Sequence, residues 1–122
     1  MIGTVSAQLE ATLPVTLFGV DGLPQEIVAV IDTGYNAALA LPMSIVTALA
    51  LSFDARRMVT LGDRSRRVLD FYDGVILWNA QRRDVLVLAV EGEPLIGTAL
   101  LTGCRLGADF VMGGAVTVER IT

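Results

Sequence analysis

The 122-residue sequence predicts an all-β domain, built on a closed or barrel-like sheet with one or two short helices. Three observations predict it. Short runs rich in β-branched residues recur along the chain, with turn residues (Gly, Asp, Asn, Ser) between them. Two pairs of such runs flank hairpin-like tetrapeptides. One run, Ile27 to Ile31, is continuously apolar, as in a strand buried on both faces. No linker, low-complexity stretch or convincing repeat divides the chain, so residues 1–122 are expected to form a single domain.

Val5 to Ala11 and Pro14 to Gly19 alternate and read as strands, and Asp21-Gly22 marks a tight turn. The apolar run Ile27 to Ile31 stops at Asp32-Thr33-Gly34. Ala37 to Leu41 reads as a short strand, and Pro42 suits the first position of a helix running to about Leu49. Arg57 to Leu61 and Arg67 to Phe71 flank Gly62-Asp63-Arg64-Ser65. Val75 to Trp78 and Val85 to Val90 flank Asn79-Ala80-Gln81-Arg82. Leu95 and Ile96 lead into Gly97. Thr98 to Thr102 suits a helical turn that Gly103 terminates. Leu106 to Val111 and Val116 to Ile121 pair plausibly across Gly113-Gly114.

Composition narrows the chemistry. The chain has no histidine, which removes Ser-His-Asp and Cys-His sites and every His-ligated metal. It has no lysine, which removes Schiff-base chemistry and the P-loop. The one cysteine, Cys104, has no partner for an internal disulfide and reads as a small buried apolar residue. Carboxylates remain as the natural reactive groups, and neither a cofactor nor a metal is implied. A net charge of −4 does not favour nucleic acid. Seven of the nine arginines lie between Arg56 and Arg83, which fits a solvated hairpin face better than an acidic ligand site, since no aromatics interleave them. The longest weakly polar run, Ala37 to Phe53, is interrupted by Pro42, Ser44 and Thr47 and falls short of a membrane span. Met1 to Glu10 does not resemble a secretion signal, so a cytoplasmic protein with no membrane partner is expected.

Asp32 is the residue that most demands explanation. An aspartate at the end of a buried strand is costly unless its charge is satisfied or used. It either begins a turn or carries chemistry. Gly34 would let the backbone turn where other residues resist. Asp70 and Asp73, three apart on a strand, point to opposite faces and make poor partners for one another. Tyr72 and Trp78 read as core or interface residues.

With Pro94-Leu95-Ile96-Gly97 and the helical turn after it, the sequence resembles the retropepsin-like aspartic proteases. Those carry Asp-Thr-Gly after a buried strand and an apolar-apolar-Gly segment late in the domain. The resemblance runs from about Val15 to Phe110 and is closest to small prokaryotic members with an aromatic residue after the triplet, here Tyr35. It implies a closed barrel acting as a homodimer, with Asp32 as the catalytic carboxylate. Thr33 would bond across the dimer, and Gly34 would let the loop approach closely. Leu95, Ile96 and Gly97 would pass behind that loop. The hairpin tip Leu61, Gly62, Asp63, Arg64 and Ser65 would be a flap over bound peptide, or else an ordinary exposed hairpin.

Hydrolysis of this type needs two carboxylates sharing one proton. The chain holds one Asp-Thr-Gly, so a two-fold homodimer is implied, with a peptide or protein substrate. Departures exist. Thr98 and Ala99 stand where many retropepsins have an acid or amide, and the chain continues past Phe110, where viral domains end. The mode of dimerisation is therefore not carried over. A non-catalytic retropepsin-like module that binds peptide or protein is the alternative, and an unrelated small barrel the third reading.

Overall fold

The computed structural model describes residues 1–121. Its first half contains β1 (Ile2–Val5), β2 (Ala11–Phe18), β3 (Pro24–Ile31), β4 (Leu39–Leu41), α1 (Met43–Ala48) and β5 (Ser52–Thr60). Then come β6 (Arg66–Trp78), β7 (Gln81–Ala89), β8 (Leu95–Ile96), α2 (Thr98–Leu101), β9 (Cys104–Ala108) and β10 (Ala115–Arg120). The all-β class is borne out. No described helix is long and apolar enough to cross a membrane.

Six strands follow one another in the order β6-β7-β4-β8-β3-β2, and a further pairing of β2 with β6 joins the ends of that run. The closure is uneven. It rests on Thr16↔Leu77, Leu17↔Ile76 and Phe18↔Val75, while β8 contributes only two residues. The strands β1, β10 and β9 extend from β2, and β5 extends from β6. Both terminal strands are paired inside the chain: β1 lies between β2 and β10, with Ile2↔Thr117, Gly3↔Val116 and Thr4↔Ala115. The amino group of Met1 also donates to the carbonyl of Val118 at 2.7 Å.

Period-two alternation builds the core. Ala11, Leu13, Val15 and Leu17 point inward from β2, Ile27, Ala29 and Ile31 from β3, and Val116 and Val118 from β10. Leu39, Leu41, Val46, Ile76, Trp78, Val87, Ile96 and Leu100 complete one cluster. Full burial of each large apolar side chain contributes about 1.5–3 kcal/mol.

Several elements differ from the sequence reading. Only the ends of the expected strand Val5 to Ala11 lie in strands: Val5 closes β1 and pairs with Ala11, which opens β2, while residues 6–10 form the hairpin loop between them. Ser6 N–H donates to Glu10 O, Glu10 N–H donates to Ser6 Oγ, and Leu9 takes φ 59°. Local side-chain bonding of this kind competes with a ladder. The two expected strands around Asp73-Gly74 are one 13-residue strand, β6, which serves both hairpins. Its Gly74 lies so close to β7 that an added Cβ would sit 2.7 Å from Val87 Cγ2. The second hairpin closes with only two residues, Asn79 and Ala80, at φ 50° and 64°, because Trp78 already pairs with Gln81. Pro42 stands just before α1 with an extended ψ of 152°, one position ahead of the expected place. The last strand pair is shifted from the expected bounds: β9 begins at Cys104 and ends at Ala108, and residues 109–114 form the turn into β10. Cys104 is half-buried, with Asn79 Nδ2 3.7 Å from its sulfur.

The most consequential difference is in β3, which is buried on one face only. Val28 is 59% exposed and Val30 half-exposed, because no layer of this chain covers the outside of the sheet there.

Candidate functional site

Asp32 is held where β3 ends. The parallel pairing of β3 with β8 sets Val30↔Leu95 and Ile31↔Ile96. Val30 N–H donates to Pro94 O at 2.8 Å, and Asp32 N–H donates to Ile96 O at 2.9 Å. The chain then turns. Gly34 N–H donates to Asp32 Oδ1 at 2.9 Å, and Tyr35 N–H donates to Asp32 O at 3.1 Å. Turn formation and chemistry are therefore compatible roles for Asp32. One carboxylate oxygen orders the loop, while Oδ2 accepts from no described protein group. The side chain is half-exposed, and Thr33 and Gly34 face solvent.

Gly34 fits here for a reason other than the expected one. Its backbone lies outside the left-handed region; a Cβ would instead sit 3.2 Å from Asp32 Oδ1 and crowd the carboxylate.

Leu95, Ile96 and Gly97 run behind this loop, as the sequence leads one to expect. β4 pairs antiparallel with β8 on its other side, through Leu39↔Ile96 and Ala40↔Leu95. Gly97 N–H donates to Ala38 O at 3.0 Å, Thr98 N–H to Tyr35 O at 2.8 Å and Ala99 N–H to Ala37 O at 3.3 Å. The Thr98 hydroxyl adds a longer bond to Tyr35 O at 3.4 Å. Gly97 is the contact point: a Cβ there would collide with Ala37 O and lie 2.6 Å from Tyr35 O. Tyr35 packs over it, and its phenol donates to Leu39 O at 3.3 Å. Burial pushes that phenol up to about 12.

Outside the loop lies a concavity of about 700 Å³. Asp32 and Thr33 form part of its wall, with Val30, Leu95, Leu106 and Phe110 as its apolar lining and Glu10 at one side. Sequence reading missed Leu106 and Phe110 as neighbours of Asp32. The usable signal was Phe110-Val111-Met112, three apolar residues between the turn formers Asp109 and Gly113.

Among the described residues no hydrogen bond or shared concavity joins residues 61–65 to residues 32–34. The tip is a three-residue loop. Arg64 N–H donates to Leu61 O at 2.9 Å, Leu61 N–H to Ser65 O at 2.9 Å, and Arg64 takes φ 67°. The left-handed position is thus Arg64, not Gly62. The hydroxyl and N–H of Ser65 both bond Asp63 and hold its carboxyl below the usual range. A second concavity of about 660 Å³ lies along the hairpin arms, between Arg56, Arg67 to Asp70 and the Ala89–Glu91 segment.

Three of the seven clustered arginines have local partners. Arg56 Nε donates to Asp70 Oδ1 at 2.8 Å, Arg57 lies 5.6 Å from the Phe71 ring centre, and Arg82 lies 4.1 Å from that of Phe18. Among the described residues, no group of three or more acidic, cysteine or histidine side chains is arranged to hold a metal. In comparisons with known proteins, no family model and no curated protein matches the chain.

Proposed function

We propose that the chain is one half of a homodimeric, retropepsin-like aspartic endopeptidase of peptide or protein substrates. The observation that carries this reading is the seat of Asp32. It lies at the end of a core strand, ordered through one oxygen with the other open, over a backbone floor made by Leu95, Ile96 and Gly97.

In the proposed dimer a second Asp32 lies about 3 Å away across the two-fold axis. Like charges that close cannot both ionise, so the pair shares one proton. The ionised member takes a proton from a water held between them, the water oxygen attacks the scissile carbonyl, and the protonated member donates to the carbonyl oxygen. The tetrahedral species then collapses, the amide nitrogen leaves with a proton, and the pair returns to its single-proton state. The hairpin tip at 61–65 would cover the bound substrate.

The test is cleavage of a peptide library from mildly acid to neutral pH, beside Asp32→Asn. The expected result is turnover lost by several orders of magnitude in the variant. Turnover that survives the substitution assigns the chemistry elsewhere. One observation favours the non-catalytic alternative: Thr98 and Ala99 replace the acid or amide of many retropepsins, and the Thr98 hydroxyl is engaged by Tyr35 O. That module would bind peptide in the same assay without cleaving it.

A further inference from the structure

Resting on the proposed two-carboxylate reading, we infer that the second copy of this chain docks on an apolar surface formed by the outer face of β3 and the Phe110-Val111-Met112 turn, and not through the terminal strands.

Two observations, and one consequence of the proposed reading, meet on this surface. The first is the run Ile27 to Ile31, apolar at every position although β3 is covered on one side only. Apolar residues on both faces are the mark of a strand covered on both sides. By strand alternation Val28, Val30 and Asp32 share the uncovered face, so the exposed valines lead directly to the carboxylate. Pro14 on β2 is paired with Val28 and is exposed beside it.

The second is the turn between β9 and β10. Phe110, Val111 and Met112 are 63%, 63% and 73% exposed. Three consecutive exposed apolar residues are unfavourable on a free surface. The turn is nevertheless rigidly built. Val5 N–H donates to Gly114 O and Gly113 N–H to Val5 O, each at 2.9 Å, and Gly114 N–H donates to Val111 O at 2.8 Å. Rigid presentation reduces the ordering cost of association. Phe110 shares the 700 Å³ concavity with Asp32, Thr33 and Val30, which joins the turn to the β3 face.

The third concerns geometry. A second Asp32 within about 3 Å must bring the surface around it against the first copy. That surroundings is the apolar wall just described. Terminal strands offer no comparable seam, because β1 is already bonded on both edges by β2 and β10. The occupant is thus a second copy, which alone supplies the missing carboxylate.

Sedimentation velocity over a concentration series tests this, with the peptide assay run alongside. The variants are Phe110→Asp with Met112→Asp together, and Ile2→Asp as a control on the exposed terminal strand. The wild type is expected to be a dimer, and the double variant to raise its dissociation constant by roughly 100-fold or more, with cleavage lost in parallel. Ile2→Asp should leave the dimer intact. Hydrogen exchange on the wild type needs no variant: the Phe110 and Met112 amides, which donate to no described residue, should slow by ~10-fold or more in the dimer. A dimer that survives the double variant and leaves these amides fast overturns the inference and leaves the protease reading standing. A wild-type dimer that the double variant dissociates, but that cleaves nothing, supports the surface and overturns the protease reading. A strict wild-type monomer at high concentration overturns both.

Discussion

Gly97→Ala adds a single methyl group at the point where the Asp32 loop rests on its floor. The backbone there has φ −101° and ψ 177°, which any residue adopts. Conformational preference therefore predicts tolerance, and packing predicts the opposite. The new Cβ would collide with Ala37 O and lie 2.6 Å from Tyr35 O and 2.7 Å from Tyr35 Cδ2. Two of these are backbone atoms that cannot rotate away. Relief requires the segment after β8 to back off, which loosens the bonds from Gly97 N–H to Ala38 O and from Thr98 N–H to Tyr35 O. Overpacking costs about 1–3 kcal/mol, and two weakened hydrogen bonds add about 1–2 kcal/mol. The expected loss is about 2–5 kcal/mol, a large fraction of the ~5–15 kcal/mol available to a domain.

Urea unfolding followed by the buried Trp78 measures this. At an m-value of about 1.5 kcal/mol/M the midpoint should fall by about 1–3 M. Gly62→Ala in the hairpin tip is the control, since an added Cβ there meets nothing within 4 Å and its φ is not left-handed. It should be neutral or stabilising by up to about 1 kcal/mol. If Gly97→Ala loses less than about 1 kcal/mol, steric contact is not what the site requires of residue 97.

Other outcomes follow from the same geometry. Ala80→Gly, at φ 64° in the two-residue turn, should stabilise by about 0.5–1 kcal/mol, because relief of left-handed strain outweighs glycine's added chain entropy; lower stability would exclude that turn. The hydrogen bond to Asp54, then desolvation and the charges of Asp54 and Asp84, raise the Asp73 pKa above its ordinary 3.8. A raised folded pKa gives stability that is full below 3.8 and is lost as pH rises through the raised value. Asp73→Asn should therefore raise Tm at neutral pH, with the gain shrinking as pH falls through that window and as salt is added; a gain independent of pH contradicts the carboxylate pair. Absorbance titration should show one of the two tyrosines deprotonating only near pH 12, a step that Tyr35→Phe removes; stability linked to that phenol is complete below 10.0 and lost between 10.0 and about 12.

The all-β class was legible because alternation and turn residues are local signals, and β2 and β10 carry them plainly. That the segment around Ile96 and Gly97 is bonded to the loop after Asp32 is a structural finding, which the sequence suggested only through a resemblance of two short motifs. What sequence left hidden was set by tertiary contact. Nothing local in Asp73-Gly74 says that β6 runs straight through, since Gly74 is required by Val87 on the neighbouring strand. Arg64 and Ala80 occupy left-handed positions that usually call for glycine or asparagine, so the turns around them were placed too broadly. Val5 to Ala11 has the composition of a strand, but Ser6 and Glu10 bond each other first.

The prediction that β3 would be buried on both faces deserves a different treatment, because its failure in the single chain is informative. A sequence retains valine at positions 28 and 30, on an outward face, at a cost in solubility unless something covers that face. The same face ends at a carboxylate whose second oxygen has no partner among the described residues. Both deficits lie on one side of the molecule. The loop's other side is complete, supported by main-chain donors at 97, 98 and 99, which do not depend on the side chains of Thr98 and Ala99. Under the proposed reading, a loop rigid from behind and unfinished in front is what a shared site would require of each half, since neither copy would need to reorganise when the two meet.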